Sequence, residues 1–176
     1  MTLNVNTAHV IDERKRASQK AGKYLTFDLA GEEYGLEILK VQEIIGLMPV
    51  TRVPRTPEFI RGVINLRGKV IPVVDLRLKF GIESAEDTRR TSIVVVQIKR
   101  DSGQIIMGLI VDDVSEVIDI DGECIEPVPE FGVNVNTDFI KGVGKLNRKV
   151  VILLDVDRVL SSGEVALVEQ ASSKTQ

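Results

Sequence analysis

Phe59 to Phe80 reads FIRGVINLRGKVIPVVDLRLKF, and the same text returns in altered form at Phe139 to Leu160, FIKGVGKLNRKVVILLDVDRVL, without a gap. Phe59/Phe139, Ile60/Ile140, Gly62/Gly142, Val63/Val143, Leu66/Leu146, Lys69/Lys149, Val70/Val150 and Asp75/Asp155 are identical between the two. A second echo lies upstream: Gly35-Leu36, Val41, Glu43 and Ile45 return as Gly108-Leu109, Val114, Glu116 and Ile118. Self-similarity of this kind marks an internal duplication, so the fold must be built from two equivalent units.

Within each unit the pattern is that of strands. Val63 to Leu66 and Lys69 to Val74 are apolar runs around Arg67-Gly68, which predicts a hairpin with its tip at those two residues. Pro72 cannot donate to a sheet ladder, which points to an edge position or an outward-facing nitrogen. Upstream, TPEFIRG reads as one helical turn, with Thr56 as N-cap, Pro57 at the first helical position and Gly62 at the exit, and Asn136 and Gly142 hold the corresponding places in the second copy. Asp75 and Asp155 end equivalent strands, where a carboxylate caps the following turn.

Outward from the repeat, the period of two continues. Lys23 to Ile38 alternates around Ala30-Gly31 and predicts a hairpin, followed by a bend at Ile38 to Lys40 and a strand from Val41 to Ile45. Ser92 to Lys99, Gln104 to Val111 and Val114 to Ile120 repeat that plan, and Asp75 to Phe80 and the segment from Asp157 to Ala171 are expected to be short helices. The division is a mobile tail over 1–21, a first barrel over 22–81 with a contribution from the C-terminal end, a linker over 82–90, a second barrel over 91–160, and a C-terminal helix and tail over 161–176. Two units of many short strands and little helix suit small antiparallel barrels, because closure removes sheet edges that would otherwise aggregate.

Composition narrows the function. Apolar residues make up 43% of the 176 and aromatic residues only 4%, so the core is built from Val, Ile and Leu. The single cysteine, Cys124, excludes an intramolecular disulfide and reads as a small core residue in a reducing compartment. The single histidine, His9, lies in the tail, where nothing would fix the geometry of a general base. Asp112-Asp113 reads as a solvated edge, since neighbours on a strand point to opposite faces. No spacing of glycines fits a phosphate loop, and no apolar run reaches the length of a signal peptide or membrane span. The chain reads as a soluble cytoplasmic protein, not an enzyme, with no cofactor and no metal.

Charge is uneven. Arg52 to Lys79 holds seven basic residues against two acidic, whereas Asp101 to Asp138 holds ten acidic and no Lys or Arg. The two regions either complement each other within the fold or address partners of opposite charge. A nucleic-acid module is disfavoured, because exposed aromatics and a basic groove are both missing. The copies also differ at one telling place: Asn65-Leu66-Arg67-Gly68 becomes Lys145-Leu146-Asn147-Arg148. A hairpin tip carrying arginine presents a planar, multi-donor cation to a carboxylate, and Glu43 is an internal candidate.

EEYGLEILKVQEII, TPEFIRGVINLRGKVIPVVDLRLKF, GLIVDDVSEVI and FIKGVGKL together resemble the CheW family of bacterial chemotaxis coupling proteins, over about Lys23 to Val168. The resemblance implies two intertwined, five-stranded, SH3-like antiparallel barrels with a few short helices. It also implies a non-enzymatic adaptor that couples transmembrane chemoreceptors to the regulatory domain of the histidine autokinase CheA, recruited to the inner face of the membrane through receptors. By the same resemblance, a groove between the barrels takes the helical tip of a receptor. Val41, Ile44, Gly62 and Asn65 are carried onto that surface, with Arg67 and Glu43 as a charged pair shaping it. The recurrence of Gly62 at Gly142 equally fits a structural role. The acidic run from Asp112 to Glu130 receives no role, and an adaptor of a related, non-chemotactic receptor–kinase array is the competing reading.

Overall fold

The computed structural model describes residues 21–82, 86–100, 103–129 and 137–173. Most of the N-terminal tail with His9, and the expected cap at Asn136, lie outside these residues. Strands β1 (Gly22–Leu29) and β2 (Glu32–Glu37) form the first hairpin around Ala30-Gly31, and a turn of 3-10 helix over Ile38–Lys40 leads into β3 (Val41–Gly46). The repeated stretch forms the hairpin β4 (Ile60–Leu66) and β5 (Lys69–Asp75), capped by helix α1 (Leu76–Lys79). The second unit follows as β6 (Ser92–Arg100), β7 (Gly103–Val111), β8 (Asp113–Ile120), a two-residue β9 (Ile125–Glu126), β10 (Ile140–Leu146), β11 (Lys149–Leu154) and helix α2 (Ser162–Ser173). Ser161 and Glu164 open α2 with a capping box, each side chain accepting from the other's backbone N–H at 3.2 and 2.8 Å.

The two units are interleaved. One sheet runs β8-β1-β2-β11-β10-β9 and the other β3-β6-β7-β5-β4. Each therefore takes a hairpin from one copy and the remaining strands from the other, and each takes strands from both sides of residues 82–90. The exchange is made at the joins β2 to β3 and β7 to β8, and it leaves one parallel pairing per sheet, β2 with β11 and β5 with β7. The five-stranded sheet curls shut where Thr51, beyond β3, exchanges backbone hydrogen bonds of 2.9 and 2.8 Å with Val63 of β4. In the other sheet β8 continues through a 3-10 turn into β9, which pairs with β10 in the equivalent place.

Burial explains the composition. Ile64, Ile71, Val73, Ile93, Val95 and Ile110 fill the interior of the five-stranded barrel, and Tyr24, Ile120, Ile125, Val151 and Leu153 that of its counterpart. The largest core lies between them and contains Leu25, Phe27, Leu36, Val74, Val94, Val96, Leu109 and Leu154. Strands such as β6 thus bury alternate side chains in two different cores, which is why Ile93 to Val96 is an unbroken apolar run rather than an alternating one. Across the shared core, rings of Phe27, Tyr34, Phe80 and Phe139 stack in series with centroids 6.0, 5.9 and 4.7 Å apart. Cys124 is half-buried beside the second barrel interior, as expected of a small core residue.

Two local expectations are corrected, and the alternative left open at Pro72 is decided. TPEFIRG is not helical: Ile60 donates to the carbonyl of Pro57 at 3.0 Å, making a single turn, and the chain enters β4 at once. The Thr56 hydroxyl turns back to the Val53 carbonyl at 2.8 Å instead of capping a helix. Pro72 is not on an edge strand, since β5 lies between β4 and β7; the ladder to β7 begins only at Val73, so no bond is lost at the proline. Asp112 is no solvated edge residue, because it accepts from Arg77 and from the Ala30 backbone. The capping roles of Asp75 and Asp155 are present, each accepting from the N–H two residues on, at 3.0 and 3.1 Å.

Candidate partner-binding site

The residues carried onto the partner surface meet around the closing edge of the five-stranded barrel. Glu43 and Ile44 lie on β3, one edge of that sheet, and Gly62 and Asn65 on β4, the other. A register shift between Val41 and Glu43 turns β3 over, so that Val41 packs against the shared core while Ile45 packs against the barrel interior. Ile44 is left outward-facing and exposed, as is Leu39 in the preceding turn.

Arg67 occupies the hairpin tip with φ of 54°, followed by Gly68 at 88°. These two left-handed residues make the tight two-residue turn that matches strand twist. Asn65 fixes the tip from below, its Oδ1 accepting from the Gly68 N–H at 2.8 Å. The guanidinium of Arg67 then reaches back to the carboxylate of Glu43 in an ion pair. The pair is largely exposed on the arginine side, so it shapes the surface rather than the core.

Gly62 plays a different part. It sits at a register shift in β4 with φ of 144°, and a Cβ there would lie 2.1 Å from the Thr51 carbonyl oxygen. It is buried beneath the Thr51 segment that closes the barrel, and the same shift recurs at Gly142 in β10. The structure thus joins Glu43 to Arg67, with Asn65 bracing the tip and Ile44 next to Glu43 on β3, while Val41 is turned toward the shared core and Gly62 lies under Thr51.

At the equivalent place in the other barrel Asn147 replaces Arg67, and an open cleft of about 710 Å³ remains between Glu116 and the tip residues Asn147 and Arg148. The clamp belongs to one copy only.

Sequence reasoning missed a second charged arrangement. Arg77 is 1% exposed and binds Asp75 through both Nε and Nη2 at 3.1 Å, Asp87 at 3.0 Å and Asp112 at 3.0 Å. Arg61 adds a bond to Asp75 at 3.0 Å and an ion pair to Asp87. Burial opposes the charge on Arg77, but the hydrogen bonds it donates to Asp75 and Asp87 and the fields of Asp75 and Asp112 outweigh it and hold its pKa above the ordinary value. Burial likewise raises Asp87, and the hydrogen bonds from Arg77 and Arg61 reverse this and leave its pKa low. Nothing in the spacing of DLR announces a buried arginine; only the clustering of Asp75, Asp87 and Asp112 in space does.

Among the described residues no group of three His, Cys, Asp or Glu could hold a metal ion, and no helix is long and apolar enough to cross a membrane.

A CheW-like domain model matches residues 23–164. The chain is 43% identical over 159 residues to the chemotaxis protein CheW of Klebsiella aerogenes, covering 90% of this chain and 93% of that one. It is 35% identical over 152 residues to CheW of Bacillus subtilis, covering 85% and 94%. The crystal structure of the scaffolding protein TtCheW from Thermoanaerobacter tengcongensis superposes with a TM-score of 0.71 at 40% identity, over 82% of this chain and 95% of that one.

Proposed function

From the premise that the chain belongs to the CheW-like domain family, we propose that it is a non-enzymatic adaptor that couples the cytoplasmic tips of transmembrane chemoreceptors to the histidine autokinase CheA. The observation that carries this reading is the one-sided clamp: Arg67 and Glu43 join the two edges of one barrel beside the exposed Ile44, while the other barrel lacks the arginine. A binding surface peculiar to one copy is what a two-partner adaptor built from a duplication requires. Val41, Glu43, Ile44, Asn65 and Arg67 form the receptor-facing surface, and Gly62 supports it from below. A helical receptor tip would lay its apolar face on Ile44 and meet the charged pair at the rim.

The test is a three-component assay. With receptor-bearing membranes, kinase and this protein, autophosphorylation should rise only when all three are present, and the protein should sediment with the membranes. If it binds neither receptor nor kinase, or turns over a substrate alone, the reading is wrong. Capture of a different receptor–kinase pair would instead place it in a related, non-chemotactic array.

A further inference from the structure

The two sheets run through equivalent strands in the same order, β8-β1-β2-β11-β10 in one and β3-β6-β7-β5-β4 in the other. By the repeat, Glu116 on β8 stands where Glu43 stands on β3, and Asn147 at the β10–β11 tip stands where Arg67 stands. The backbone is copied closely. A register shift accompanies each glutamate, between Val41 and Glu43 on β3 and between Val114 and Val117 on β8. Asn147 has φ of 53° against 54° at Arg67. The residue after each glutamate is an exposed apolar side chain, Ile44 at 43% and Val117 at 50%. The Thr26 hydroxyl holds the Glu116 backbone in place, donating to its carbonyl at 3.0 Å and accepting its N–H at 3.2 Å.

What differs is the side chain that faces the glutamate. Arg67 crosses to Glu43 and closes the first site. Asn147 is neutral and shorter, and the corresponding space is the open cleft of about 710 Å³. Part of its charge is already neutralised, because Lys149 pairs with Glu33 at 3.5 Å. Glu116 and Asp119 are exposed, and among the described residues neither forms an ion pair, nor does Arg148 at the rim. Ile118, Leu146 and Val151 make the rest of the lining apolar. Two carboxylates beside aliphatic carbon suit a guanidinium, whose flat face packs on the apolar wall while its edge donates two hydrogen bonds to one carboxylate. A lysine ammonium is more strongly hydrated and has no such face. We propose that the cleft at Glu116 receives an arginine side chain from a partner protein, so that the second barrel makes between two chains the ion pair that the first barrel makes within itself. Val117 supplies the apolar rim, and an arginine anchor beside apolar surface is the composition of an interface centre. That this partner belongs to the signalling array is a last step that rests on the function proposed above.

The test gives Asn147 the residue of the other copy. Asn147→Arg suits the backbone, since Arg67 adopts nearly the same φ, and its guanidinium should pair with Glu116 and close the cleft from within. N-acetylarginine amide is titrated into the full chain and followed by backbone amide chemical shifts, with N-acetyllysine amide as control. The wild type should show saturable shifts centred on Glu116, Asn147 and Arg148, larger with arginine than with lysine. Glu116→Gln and Asn147→Arg should each lose most of this response while circular dichroism stays unchanged. Absent or unsaturable shifts in the wild type, an equal response to lysine, or a full response in either folded variant overturns the site. In the three-component assay Asn147→Arg leaves the Arg67–Glu43 clamp intact, so it should sediment with receptor-bearing membranes as the wild type does and lose most of the kinase stimulation. Undiminished stimulation overturns the docking role in the array. A wild-type protein that gives no stimulation sinks the adaptor function, while the titration alone decides the arginine site.

Discussion

Arg67, at the tip of the β4–β5 hairpin, pairs with Glu43 on β3, and so joins the two edges of the five-stranded barrel across the seam that Thr51 and Val63 close with backbone bonds. Because the Arg67 side chain is 74% exposed, the pair adds on the order of 0.2–1 kcal/mol to stability. Arg67→Glu should therefore abolish coupling of receptor to kinase with little change in melting temperature. A large drop in the melting temperature would show the arginine to be a structural pin.

Gly62 behaves in the opposite way. The Thr51 carbonyl oxygen leaves no room for a Cβ and the φ of 144° is unfavourable to any side chain, so Gly62→Ala should cost on the order of 2–4 kcal/mol. Gly68 also has a positive φ, of 88°, but nothing lies near its missing Cβ. Gly68→Ala should cost only about 1–2 kcal/mol. Urea titrations of the two variants compare them directly, and equal losses would mean that the closing contact at Thr51 does not matter.

Removing the Arg77 side chain leaves the buried Asp75 with Arg61 as its remaining charged partner. Breaking a buried pair of this sort costs about 3–5 kcal/mol, so Arg77→Ala should be far more destabilising than Arg67→Ala, which removes an exposed partner. Denaturant midpoints measured side by side decide this.

Acid should unfold the protein through a few identified carboxylates. The folded-state pKa values of Asp87 and Glu164 lie below the ordinary range, the first held by Arg77 and Arg61 against its burial, the second by Lys79 and Ser161. Their contribution is complete above the unfolded-state pKa of about 4 and is lost as pH falls through the folded values. Asp87→Asn should lower stability at pH 7 and flatten the loss between pH 4 and 2. Melting temperature followed across that range gives the answer; parallel wild-type and variant curves would exclude the role.

Asp28 carries the reverse sign. Burial, with Glu33, Asp113 and Asp112 nearby, raises its pKa, so its charge is unfavourable in the folded state once the pH exceeds both pKa values. Asp28→Asn should raise the melting temperature at pH 7 and have no such benefit below pH 3, a comparison that differential scanning calorimetry makes directly.

The sequence by itself determined the units and the local geometry. The repeat of Phe59 to Phe80, the hairpin tip at Arg67-Gly68, the turn at Ala30-Gly31 and the caps at Asp75 and Asp155 follow from short-range rules of period, turn chemistry and hydrogen bonding. It also marked Arg67 as peculiar to one copy and named Glu43 as its partner. TPEFIRG was misleading because its cap residues satisfy helix rules while Gly62 is needed for something non-local, the approach of Thr51. Only the tertiary structure decided which hairpin joins which sheet, since the duplicated units have nearly interchangeable edges. It alone revealed that Arg77 is buried and that Asp87 and Asp112, ten and 35 residues further along, join the neighbouring Asp75 around it, so that their combined attraction outweighs desolvation.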